Sequence, residues 1–128
     1  MDWNYPYFTK KEMECSCGCG GLPRPEFMEM LVKIREKASF PFIISSGFRC
    51  GPYNAKVSDT GINGPHTLGL ACDILVFGDR AYRLIYLAIQ YGITGIGIQQ
   101  KGNKMTRFIH LDSIEPGGMH PRPWIWSY

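Results

Sequence analysis

Between Pro25 and about Ser39 the apolar residues Phe27, Met30, Leu31 and Ile34 fall at i, i+3, i+4 and i+7, the spacing of one face of a helix. A second helix is predicted from about Asp79 to Tyr91, where Ala81, Leu84, Ile85 and Ala88 form the stripe and Gly92 the stop. Thr9 is placed to cap a short turn over Lys10 to Glu14, which the glycines of CGCGG end. Pro52 to Ser58 reads as a further short helix with its proline in the first turn, followed by the loop SDTGINGP.

Four segments lack the helical period and read as strands. Pro41 to Ser45 is β-branched and aromatic, predicts a buried strand, and ends before Gly47. Gly95 to Gln99 and Thr106 to Asp112 form two more, joined by KGNK. In Leu70 to Phe77, alternation puts Ala71, Asp73 and Leu75 on one face and Leu70, Cys72, Ile74 and Val76 on the other. One carboxylate therefore projects from an apolar segment and needs a partner, since an unpaired buried charge costs several kcal/mol or more. The tail PRPWIWSY is too rich in proline for a helix and is expected to run extended, packing its aromatics on the domain.

With 128 residues and 45% hydrophobic content, the chain is expected to form one domain over residues 1–128 around a single core. No apolar run approaches the roughly 18 residues of a membrane span. The opening MDWNYPYF lacks the basic start and apolar stretch of a secretory signal, so the expected location is synthesis in the cytoplasm, with any export by another route. A net charge of +3, scattered along the chain, argues against a dedicated nucleic-acid surface.

The candidate chemistry starts from His66 and Asp73 in GPHTLGLACD, answered some forty residues later by His110 and Asp112 in FIHLD. Two imidazoles and one carboxylate suit a hydrolytic zinc ion, because three protein ligands leave a fourth position for water. If the strands of Asp73 and His110 are neighbours, those ligands converge at one edge of a sheet while glycines fold the His66 loop over them. Taken singly, the same residues read as a loop histidine, a carboxylate paired with an arginine, and a core histidine.

The cysteines leave several readings open. Cys15, Cys17 and Cys19 lie in ECSCGCGG, Cys50 follows Arg49, and Cys72 precedes Asp73, an odd count that forbids full pairing. C-x-C leaves less room than C-x-x-C for two thiolates to turn onto one metal. A disulfide to Cys50 or plain reduced thiols is therefore the preferred reading, with a second metal site at Cys15, Cys17, Cys19 and Cys50 the lesser one. Cys72 reads as a small buried hydrophobe on a strand.

The runs SSGFRC, Asn54, HTLGLACDI, FIHLD and the final WIWSY together resemble the zinc D-Ala-D-Ala carboxypeptidase family, which includes murein peptidases and phage endolysins and shares its fold with hedgehog domains. The resemblance runs from about Phe8 to the end, and its H-x-x-G-x-A-x-D before a distant H-x-D is specific. It implies an α+β fold with a central antiparallel sheet, flanking helices and a cleft above the metal. It also implies Zn2+ on His66, Asp73 and His110, and a substrate-binding role for Arg49, whose planar guanidinium suits a carboxylate, with Ser46 lining the same cleft. As a bland alternative, Arg49 pairs with Asp73 or Asp59.

In several members a catalytic carboxylate stands three residues before the second zinc histidine, and that position here is Arg107. A guanidinium cannot serve as a base. Asp112, two residues along the strand from His110, is the preferred replacement, with orienting a histidine or holding Arg107 as its alternative. Glu115, in the turn-like EPGG, is a weaker choice.

The expected function is thus a monomeric zinc metallopeptidase cutting peptidoglycan peptides at or near D-alanine, of a phage type that reaches the wall after release or in a phage particle, with no nucleic-acid or membrane partner. The alternative is a zinc-binding structural or interaction module without turnover, which Arg107 keeps open.

Overall fold

The computed structural model describes residues 3–128. Met1 and Asp2, which open the MDWNYPYF stretch, lie outside them. Four helices, α1 (Lys10–Met13), α2 (Pro25–Ala38), α3 (Gly51–Val57) and α4 (Gly78–Gln90), accompany five strands, β1 (Ile43–Ser46), β2 (Ala71–Leu75), β3 (Gly95–Gln99), β4 (Phe108–Asp112) and β5 (Trp124–Ser127). The strands form one sheet in the order β1-β2-β4-β3-β5. The fold is α+β. No helix among the described residues is long and apolar enough to cross a membrane.

The helices begin and end where local chemistry demands. Thr9 accepts from the Glu12 amide while the Glu12 side chain accepts from the Thr9 amide, a reciprocal cap on the single turn of α1. Pro25 opens α2, and Ser39 closes it in a left-handed conformation. Phe27, Met28, Leu31, Ile34 and Ala38 of α2 join Ala81, Leu84, Leu87 and Ala88 of α4 in one buried cluster with Cys72, Ile74, Ile96, Ile109 and Leu111 of the sheet. Cys72 is thus the buried strand residue its sequence setting predicts.

Because strand side chains alternate, burying those residues turns Asp73 of β2, His110 and Asp112 of β4, and Gly95 and Gly97 of β3 to the opposite face. Asp73 and His110 are direct partners in the β2–β4 ladder, and Gly97 is partner to His110 in β3–β4. The neighbouring-strand condition for the ligand set is met.

Two expectations need correction. The sheet is antiparallel from β1 through β3, but the tail forms a strand and β5 pairs parallel to β3, with Gly97 beside Trp126. A Cβ on Gly97 would stand 2.7 Å from the Trp126 indole, so β5 brings its tryptophan over β3 only because that position carries no side chain. β1 is also not buried: it lies at the sheet edge with Ile43 59% exposed. Its composition encodes the strand but not its place in the order. A register shift between Ile44 and Ser46 sets Ser46 opposite Asp73, the local re-aiming that a bulge at an edge provides.

Candidate functional site

Three elements deliver the donors. His66 stands in a 3-10 turn, Pro65–Leu68, that ends on Gly69 with φ 74 and leads into β2. Asp73 and His110 come from the paired strands. One ligand atom from each of the three lies within 4.8 Å of the others. All three side chains are buried.

Their hydrogen bonds fix which nitrogens face inward. His66 Nδ1 is 2.8 Å from the Gly47 carbonyl, an acceptor only, so Nδ1 carries the proton and donates. Its Nε2 points at Asp73 Oδ1, 3.3 Å away. His110 donates from Nε2 to Asp112 Oδ2 at 2.8 Å, which turns Nδ1 to Asp73 Oδ1 at 3.0 Å. With both imidazoles neutral, two nitrogen lone pairs and a carboxylate converge with no proton among them. Only added protons or a cation satisfy that arrangement, and a metal-binding histidine normally donates its outer N–H to a carbonyl or carboxylate in this way. The donor set fits a divalent metal of the zinc class.

Asp112 is placed for the second of its two expected roles, orienting a histidine, and not for the first. It is fully buried, and Arg122 grips it from Nε at 2.9 Å and from a terminal nitrogen at 2.7 Å. Its other partners are His110 and the Ile114 amide at 3.4 Å. The carboxylate stands behind the His110 ring, on the side away from Asp73, with its lone pairs engaged. The base role expected of Asp112 does not fit this placement, whereas orienting a histidine does. Nor does Asp112 hold Arg107, whose guanidinium donates to the Gly102 carbonyl.

Arg49 is held from several sides. Its Nε donates to Ser46 Oγ at 2.9 Å, one terminal nitrogen donates to Asn54 Oδ1 at 3.0 Å, and the other lies 3.6 Å from Asp73 Oδ2. It still faces the cleft, so the pairing with Asp73 and an opening to substrate coexist. Ser46 is spent on Arg49 and does not line the cleft.

The cleft above the donors has a volume of about 410 Å³ and is walled by Trp124, Trp126 and Tyr128 of the tail. The Trp126 ring packs on His110 with centroids 5.1 Å apart, and the Arg122 guanidinium lies over the same indole at 5.2 Å. Among the described residues lining the cleft, Asp73 is the sole carboxylate. His120 lines it as well, its Nε2 3.0 Å from the Asn63 carbonyl. Neither His120 nor Arg122 is found by reading the sequence: each lies in the proline-rich connection to β5, with no periodicity to assign it a face.

Burial alone would raise the pKa of both carboxylates, yet hydrogen bonds win. In the metal-free protein, where added protons fill the centre, those from His110 and His66 hold Asp73 well below the usual carboxylate range. Those from His110 and Arg122 bring Asp112 down to about 2. A depressed carboxylate stabilises the fold fully above its unfolded value of about 3.9 and loses that contribution as pH falls through the folded value. The metal-free protein is therefore expected to lose about 2 kcal/mol from Asp112 alone between about pH 5 and pH 2, and Asp73 acts in the same direction. His110 is raised because its bonds to Asp112 and Asp73 outweigh burial, so it is protonated folded and unfolded in that window and adds no slope. Denaturant unfolding across the range measures this, and an unchanged midpoint would contradict the ion-pair geometry.

A sequence model of the family described as Peptidase M15 matches residues 6–112, a span containing His66, Asp73 and His110 but not Arg122 or the aromatic tail. No curated protein matches the chain.

Proposed function

This chain belongs to the peptidase M15 family, a family of metal-dependent peptidases, and from that premise we propose that it is a zinc metallopeptidase hydrolysing peptidoglycan stem peptides at or near D-alanine. One observation carries the reading: three buried donors, with tautomers set by Gly47 and Asp112, converge at the floor of an open cleft. His66, Asp73 and His110 would hold the ion. When bound, zinc polarises the scissile carbonyl and makes water nucleophilic near neutral pH.

The chain's own residues supply the rest. Arg49, fixed by Ser46 and Asn54, presents a planar cation to a substrate carboxylate or carbonyl. Trp124, Trp126 and Tyr128 form one apolar wall of the cleft beside the three donors. His120 is the group we assign to proton movement: with its Nε2–H given to Asn63, Nδ1 is free to accept a proton and return it to the leaving amine. We infer a phage-type setting outside the cytoplasm from the resemblance of the motif runs to endolysins.

A second reading, a metal-binding module without turnover, draws on the lack of any carboxylate but Asp73 among the described cleft residues and on Arg107. Incubation of the zinc-loaded protein with purified peptidoglycan and defined muropeptides, followed by product masses, separates the two. Release of D-alanine or internal stem-peptide cuts is expected. Intact substrate with one equivalent of metal in the cleft would favour the module.

A further inference from the structure

Next to Arg49 along the chain, Cys50 joins a second convergence of donors that the peptidase reading does not use. The sulfurs of Cys15, Cys17, Cys19 and Cys50 all lie within 4.8 Å of one another, and all four are free thiols. Cys17 Sγ is 3.4 Å from that of Cys15 and 3.5 Å from that of Cys50. Four sulfurs around one zinc at about 2.3 Å would stand about 3.8 Å apart, so the four are gathered at nearly the size of a tetrahedral site.

The backbone shows how C-x-C overcomes its poor reach. Cys15 N–H donates to the Gly21 carbonyl at 3.0 Å and Gly18 N–H to the Cys15 carbonyl at 3.3 Å, closing the segment into a loop. Gly18 at φ 85 and Gly20 at φ 83 take left-handed conformations that curl the chain back. Cys17 and Cys19 are thereby returned toward Cys15 instead of alternating outward as on a strand. The Cys50 amide also points at Cys15 Sγ, 3.4 Å away, and an N–H aimed at sulfur favours the thiolate that a metal requires.

We infer that Cys15, Cys17, Cys19 and Cys50 form a closed tetrathiolate site for a soft divalent cation, zinc by preference. With four protein ligands it has no open position and is structural. Its effect reaches the cleft through the chain. Phe48 N–H donates to the Met13 carbonyl at 2.9 Å, and Gly47 packs against the Met13 backbone so closely that a Cβ could not fit. Fixing Cys50 to the Cys15 loop therefore fixes the segment whose Gly47 carbonyl orients His66 and whose Arg49 reaches Asp73.

The test is metal content by mass spectrometry on protein purified with zinc under reducing conditions, for wild type, a His66→Ala/His110→Ala variant and a Cys17→Ser/Cys19→Ser variant. Two equivalents are expected in wild type and one in each variant. Cobalt substitution should give thiolate charge-transfer bands in wild type and in the histidine variant, and none in the cysteine variant. Four thiols that react freely with a disulfide reagent in folded, zinc-loaded wild type would overturn the inference. So would a cobalt spectrum without thiolate bands or a disulfide among the four cysteines; both are read on wild type, whether or not the cysteine variant folds. A single equivalent lost with the histidines refutes this site alone, and one lost with the cysteines refutes the cleft site alone.

Discussion

Asp73→Asn is expected to remove the cleft metal and to lower kcat/KM on muropeptides by about three orders of magnitude, equivalent to about 4 kcal/mol of transition-state stabilisation. The substitution keeps the shape of the side chain and removes its charge. Asp73 Oδ1 is the point on which both histidine nitrogens converge, and Oδ2 faces Arg49. An amide there leaves both sides without an anion, and whichever way it turns, either the histidine nitrogens or the Arg49 guanidinium meets an NH2 in place of an acceptor. Metal content after dialysis and turnover should fall together while the thermal transition persists. Wild-type metal content and turnover in the Asp73→Asn variant would remove Asp73 from the centre.

Asp73 is also where sequence reasoning reached furthest. Period-two alternation marks it as a lone polar residue on the face opposite Cys72 and Ile74, and its pairing with His110 follows once β2 and β4 are neighbours. Alternation cannot reveal what lies behind a side chain. Asp112 shares a face with His110, which made it look like a base within reach of the same water, yet it lies behind the imidazole on the side that Arg122 fills. That arginine comes from a turn ten residues further on whose path is set by β5, a parallel strand made possible by the bare backbone of Gly95 and Gly97. A Cβ on Gly95 would collide with the Asp112 carboxylate and Arg122. In sequence those glycines read as features of one strand; in the fold they are the space its neighbours occupy. Likewise C-x-C spacing argued against convergence of the cysteines because it ignores left-handed turns at Gly18 and Gly20.

Arg122→Leu is expected to destabilise the fold by about 3–5 kcal/mol, because it leaves a fully buried carboxylate without its cation. Asp112 would keep only His110 and the Ile114 amide, and the indole of Trp126 would lose the guanidinium that covers it. Adding Asp112→Asn to that variant removes the stranded charge, so the double variant should recover part of the loss in urea unfolding. An Arg122→Leu protein within about 1 kcal/mol of wild type would show that the pair is not buried as described. Asp112→Asn alone then decides the carboxylate's role. A general base would cost nearly all turnover at unchanged metal affinity. A residue that positions His110 instead costs about 10–100-fold in metal affinity, with kcat largely recovered at saturating zinc. The second result is expected, because the amide oxygen of Asn can still accept from His110 Nε2 and hold Nδ1 toward the metal, whereas no water beside Asp73 can reach a group on the other side of that ring.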